Sequence, residues 1–318
     1  MDIDKKPSYY QVSASEDVQI GGQAVIEGVM MRSPQYVSIA LRKSNGEIVV
    51  KKDAFVPLIK RYKFLNLPII RGAITLVETL YIGIKALTYS ADIAAQEDLE
   101  GEESSKEVKK EDALRSKKEK LFTTLWLSLS IALGVFLALF LFFYLPLVLT
   151  DLLRVKAGYL FNIVDGMIRI SIFLVYLWLI TMWKSMRRIF EYHGAEHKSI
   201  FALERGEGLT VENVKKYSTH HPRCGTSFLL IVMLVSIAIF MFVGRPHTIQ
   251  ERLIRLLYVP LIGGISYELI KLSGKKATNR LVRALVAPGL WLQRMTTKEP
   301  DDKQLEVAIV ALKSSLEK

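Results

Sequence analysis

The stretch LFTTLWLSLSIALGVFLALFLFFYLPLVL, residues 121–149, decides the class of fold. It carries no charged side chain and is long enough to span a bilayer core with some tilt. Working outward from it, a second apolar run covers about 163–183 and contains Arg169, which belongs near an interface or facing other helices. A third runs from Ser227 to Val243. A fourth and weaker one, from about Leu253 to Leu272, contains Pro260, Gly263, Gly264 and Glu268. Glycine and proline are tolerated there because neighbouring helices and ordered water re-satisfy the backbone. The expected fold is a mainly α membrane protein. It has about four transmembrane helices, a small amino-terminal β element and cytoplasmic amphipathic helices.

Composition points the same way. Half of the 318 residues are hydrophobic, which demands either a very large core or a membrane. A single cysteine excludes an internal disulfide framework. The net charge of +11 would suggest nucleic acid in a soluble chain, but no nucleic-acid reading motif accompanies it. Basic residues collecting in cytoplasmic loops explain it more simply. The partners expected are therefore the lipid bilayer and either a membrane-protein partner or a second copy of the chain.

Loop charges set the orientation. The segment before the first span is rich in Lys and Arg, and the loop after it holds only Arg154 and Lys156. The loop between spans two and three carries eight basic residues, from Lys184 to Arg223. The tail after span four begins with Lys271, Lys275, Lys276, Arg280 and Arg283. This alternation places both termini and the His-rich loop in the cytoplasm.

Four regions follow. Residues 1–96 form a cytoplasmic amino-terminal β/α region that opens with a polar tail lacking a cleavable signal peptide. Within it, Val37–Leu41 alternates like a strand, and Asn45-Gly46 separates it from a second run at Glu47–Lys51, a hairpin signal. Residues 64–94 have apolar side chains at helical spacing, interrupted by Arg71, Glu78 and Lys85. They read as an amphipathic helix, lying on the membrane or packed on the bundle rather than spanning. Residues 97–120 are a charged, solvated linker. Residues 121–272 form the transmembrane bundle, with a His-rich cytoplasmic loop at 184–226. Residues 273–318 form cytoplasmic carboxy-terminal helices.

Two short stretches carry the chemistry. Tyr192–Lys198 (YHGAEHK) and His220–Thr226 (HHPRCGT) hold four of the five histidines and the only cysteine. His193 and His197 are four residues apart and would share one helix face, unless the poor helix former Gly194 ends the helix between them. His, Cys and carboxylate ligands suit a divalent metal such as zinc. The topology brings His193, His197, His220, His221, Cys224 and Glu268 to one side of the membrane as candidate ligands. A carboxylate such as Glu268 inside a span is costly unless it meets a cation or a polar cavity. His193-x-x-Glu196-His197 also has the letters of the inverted zinc-protease motif, in which the Glu is the general base. Glu196 is the candidate for that role, or else a supporting carboxylate. Cys224 is a ligand or an inert buried thiol, and Arg223 an anion holder or an interface residue.

The stretches 21–32 (GGQAVIEGVMMR), 192–198, 209–214 (LTVENV), 221–228 (HPRCGTSF), 264–268 (GISYE) and 288–294 (PGLWLQR) resemble the YqhQ family of bacterial membrane proteins. Members are described as predicted metal-dependent enzymes, without an established activity. The resemblance implies a multi-pass inner-membrane protein. It adds Gln23, Glu27 and Arg32 as candidates for the same cytoplasmic pocket, and it draws attention to 288–294. Two functions compete. One is a metal-dependent hydrolase of unknown substrate. The other is a non-enzymatic scaffold, an assembly or insertion factor, or a solute or lipid conduit, with a structural polar cluster.

Overall fold

The computed structural model describes residues 20–103, 113–156, 158–222, 224–275 and 280–317. The expected polar tail before residue 20 lies outside them. Four strands, Gly21–Val25 (β1), Gly28–Arg32 (β2), Tyr36–Arg42 (β3) and Ile48–Ala54 (β4), form an antiparallel sheet in sequence order. The β3–β4 hairpin turns at Gly46, whose φ of +90° needs the freedom of glycine. The glycine-flanked run 21–32 is itself a hairpin. Its two-residue turn holds Glu27 at φ +54°.

Alternation along the strands gives the sheet two apolar faces. Val29, Met31 and Ala40 pack under helices Lys184–Glu204 and Asp302–Leu316. Val25, Met30, Val37, Ile39 and Leu41 pack under Ile82 and Ala86 of a long helix, α1 (Ile70–Glu103). This helix leads into α2 (Ala113–Leu139), so the expected linker is helical at 97–103 and 113–120, and 104–112 lie outside the described residues. Lys- and Glu-rich sequence favours helix as readily as solvated coil. After α2 come a π-helical turn at Phe140–Tyr144 and α3 (Leu145–Leu152), then α4 (Gly158–Thr181). A break at Trp183 separates α4 from α5 (Lys184–Glu204). Then follow α6 (Val211–Lys215), α7 (Gly225–Val243), α8 (Val259–Lys275), α9 (Arg280–Thr296) and α10 (Asp302–Leu316).

Among the described residues, four helical stretches are long and apolar enough to cross a membrane: Ser128–Leu152, Gly158–Thr181, Gly225–Val243 and Ile249–Leu272. Their outer faces expose large apolar side chains such as Phe136, Trp178 and Phe242, as lipid-facing helices do. Helix α1 is not among them. Its first turns pack on α8, where Gly264 lets the Ile69 carbonyl approach so closely that a Cβ would sit 2.4 Å from it. Its next turns cover the sheet, while Val77, Leu80, Tyr81 and Ile84 stay exposed.

Candidate metal centre

Helix α5 runs unbroken through Gly194, so His193 and His197 do share a face. The glycine is there for packing. A Cβ on residue 194 would lie 2.1 Å from the Lys298 carbonyl, in the segment joining α9 to α10. That segment is pinned by the Lys298 N–H, which donates to the Phe190 carbonyl at 2.9 Å. It also presents the Thr296 carbonyl to His193 Nδ1 at 2.8 Å. His197 Nδ1 meets the Thr219 carbonyl at 2.5 Å. A carbonyl can only accept, so both imidazoles carry a proton on Nδ1, and in the neutral ring Nε2 is left with a lone pair.

Both lone pairs face Cys224. The thiol caps α7, with the Thr226 N–H pointing at Sγ over 3.4 Å, and His193 Nε2 lies 3.3 Å from Sγ. One ligand atom from each of His193, His197 and Cys224 falls within 4.8 Å of the others. His197 Nε2 is buried and has no hydrogen-bond partner. An orphaned lone pair beside a thiol and a second imidazole fits a divalent cation. Metal-ligating histidines usually donate their other N–H to a carbonyl or carboxylate, as both do here. Two nitrogens and one sulfur make a set of three possible ligands for a metal ion.

Glu196 is buried beside this cluster and outside it. Its carboxyl group lies against the backbone of β1, where a Cβ on Gly22 would come within 2.8 Å of it. Burial raises its pKa, and the neighbouring His193 and His221 and the Gly22 N–H oppose that rise. Burial also depresses the pKa of His197, which favours the neutral, metal-ready ring.

The other candidates are placed elsewhere. Glu268, expected among the ligands, is instead gripped by Arg71 through two hydrogen bonds of 2.6 and 2.5 Å. His220 is half-buried beside Ser218, and its pKa is lowered by partial burial and by Arg294. His221 is near, with its ring 5.7 Å from that of His197, but its Nε2 meets Glu204 at 3.3 Å. Its backbone N–H donates to Gln293 Oε1 at 2.7 Å, and Gln293 returns a hydrogen bond to the His221 carbonyl at 2.8 Å. Gln23 and Arg32 point to the other face of the sheet, because strand alternation opposes them to Gly22. Gln23 reaches Gly83 of α1, and Arg32 reaches Thr79. Glu27 sits at the hairpin turn and pairs with Arg188. Arg223 lies outside the described residues. Sequence reasoning missed the two backbone carbonyls, since backbone groups carry no residue-type signal. It reached the 288–294 segment, home of Gln293, only through the family resemblance.

The fold and site define a mainly helical protein with, among the described residues, four helices of membrane-spanning length and a largely buried His–His–Cys cluster at one end of them. Residues 67–318 match the family described as Protein of unknown function (DUF1385), and the chain belongs to that family. Over 301 residues it is 32% identical to the Uncharacterized protein YqhQ of Bacillus subtilis (strain 168), covering 91% of this chain and 89% of that protein. No solved structure matches.

Proposed function

We propose that the protein is a multi-pass inner-membrane, metal-dependent hydrolase. His193, His197 and Cys224 would hold the metal at the cytoplasmic face, and Glu196 would serve as the general base. The observation that carries this is the pair of Nδ1–H···carbonyl contacts, which aim both Nε2 atoms at one sulfur and leave that of His197 without a partner. A divalent ion held by these three residues would supply Lewis-acid chemistry there. The chain itself does the rest. Thr219 and Thr296 orient the rings, the Gly22 backbone positions the Glu196 carboxyl, and burial suits that carboxyl to holding a proton. The excess of basic residues in the 184–226 loop and at the carboxy-terminal tail supports the cytoplasmic assignment of the termini and cluster.

The test is metal analysis of detergent-purified protein. One equivalent of metal is expected, lost in His193→Ala, His197→Ala and Cys224→Ser. Stoichiometric metal that survives the His changes would sink the ligand assignment. A structural, non-enzymatic role has one observation in its favour: the cluster ties α5, the start of α7 and the 296–298 segment together. Glu196→Gln separates the two readings. It should keep the metal and lose function in cells if the residue is a base, and keep both if the cluster is a clamp.

A further inference from the structure

The sulfur of Cys224 meets Thr226 twice, through the backbone N–H that it caps and through the side chain. The Thr226 hydroxyl oxygen lies 3.1 Å from Sγ, closer than the N–H at 3.4 Å. His193 Nε2 stands 3.3 Å from the same atom. A hydroxyl inside a helix can donate to the carbonyl one turn back. Thr150 and Ser266 do so here, toward the carbonyls of Pro146 and Ile262, at 2.8 and 2.7 Å. Thr226 is the second residue of α7, so Pro222, four places before it, lies outside the helix. The start of the helix thus leaves this hydroxyl to the sulfur.

Between a hydroxyl and a thiol either group can donate. A metal-bound sulfur is a thiolate, which carries no proton and can only accept. With an ion on His193, His197 and Cys224, the hydroxyl is therefore the donor, and one threonine gives the sulfur two hydrogen bonds. Hydrogen bonds to an ionised acceptor are the stronger kind, and they draw charge from it. A sulfur that gives up less charge leaves the ion a better Lewis acid, as the groups that bond to metal ligands commonly tune the metal.

We propose that Thr226 is a positioning residue of the metal centre, its hydroxyl donating to the Cys224 thiolate and tempering the charge that the sulfur passes to the metal. This rests on the metal reading above. It gives a role to a side chain that is neither ligand nor base.

The experiment is absorption spectroscopy of the detergent-purified full chain loaded with cobalt(II), read at the thiolate-to-cobalt charge-transfer band. Thr226→Val keeps the shape and the N–H and loses the hydroxyl. Its band should move to longer wavelength, because a thiolate without that hydrogen bond gives up an electron more readily. Thr226→Ala loses the same donor with no bulk to misplace, and its band should move the same way. Thr226→Ser keeps the donor and should hold the band at the wild-type position. Competition with a chelator should show cobalt bound roughly tenfold less tightly by Thr226→Val and at near wild-type strength by Thr226→Ser. A band unmoved in Thr226→Val and Thr226→Ala, or moved as far in Thr226→Ser, would overturn the proposal and leave the metal site standing. Cobalt bound to the wild-type protein without a thiolate band would instead remove Cys224 from the ligand set, and the role of Thr226 would fall with it.

Discussion

Arg71 and Glu268 form a two-pronged ion pair that fastens the amphipathic helix α1 to the last span candidate, Nε and Nη2 reaching the two carboxylate oxygens at 2.6 and 2.5 Å. Both side chains are mostly buried, 20% and 17% exposed. A carboxylate inside an apolar helix needs a cation, and here a guanidinium is that cation. Glu268→Gln should therefore leave metal content unchanged. Arg71→Ala should lower stability by about 2 kcal/mol, below the roughly 3–5 kcal/mol of a fully buried pair because water reaches this one. Exchanging the charges, Arg71→Glu with Glu268→Arg, should recover much of that loss in thermal unfolding. Loss of metal in Glu268→Gln would return the residue to the ligand set.

Gly194 and Gly22 are both set by close approaches, the first to the Lys298 carbonyl and the second to the Glu196 carboxyl. A methyl group at 194 meets the Lys298 carbonyl at 2.1 Å, a backbone atom that cannot swing aside. Gly194→Ala should cost about 1–3 kcal/mol as an overpacked contact and weaken metal binding, since the same segment holds His193. A methyl group at 22 meets both the Met30 carbonyl and the Glu196 carboxyl, at 2.7 and 2.8 Å. Gly22→Ala should keep the metal and reduce cellular function, by displacing the carboxyl. Metal assay and complementation of a deletion strain read the two effects apart.

Metal removal should destabilise the protein. The ligands come from α5 and the start of α7, so a bound ion directly joins two elements that the chain connects only through α6 and its flanking loops. With free metal about 100-fold above Kd, binding adds about 2.7 kcal/mol, and chelation should lower the unfolding midpoint by roughly 5–10 °C. The same chelator should leave the midpoint of His197→Ala where it is. An equal shift in both proteins would mean that the metal acts at another place.

The apolar helices were legible because long, predominantly apolar runs with few charges leave few alternatives. The β3–β4 hairpin was legible through Asn45-Gly46, and His193, His197 and Cys224 through residue type and spacing. What escaped is tertiary. Arg71 and Glu268 lie 197 positions apart, so nothing local links them. Gly194 looks like a helix breaker until the Lys298 carbonyl lies against it, and packing then overrides propensity. The strands β1 and β2 are short and glycine-rich, and their two-sided burial hides the usual alternation. The carbonyls of Thr219 and Thr296, which set both ring tautomers, belong to the backbone and leave no trace in sequence.

Gln293 holds the loop that delivers Cys224. It is fully buried, and its amide group accepts from the His221 N–H at 2.7 Å while donating to the His221 carbonyl at 2.8 Å and to Ser227 Oγ at 3.0 Å. These contacts fix the chain on both sides of Cys224 without touching the cluster. Gln293→Ala would leave the His221 N–H buried without this acceptor and free the loop to drift. Metal affinity should fall roughly 10–100-fold, the usual cost of losing a group that orients a ligand. Gln293→Glu retains the acceptor for the His221 N–H, loses both donated bonds, and should fall between the two. Titration with a competing chelator measures this ladder. An affinity unchanged in Gln293→Ala would mean that the α7 cap alone positions the thiol.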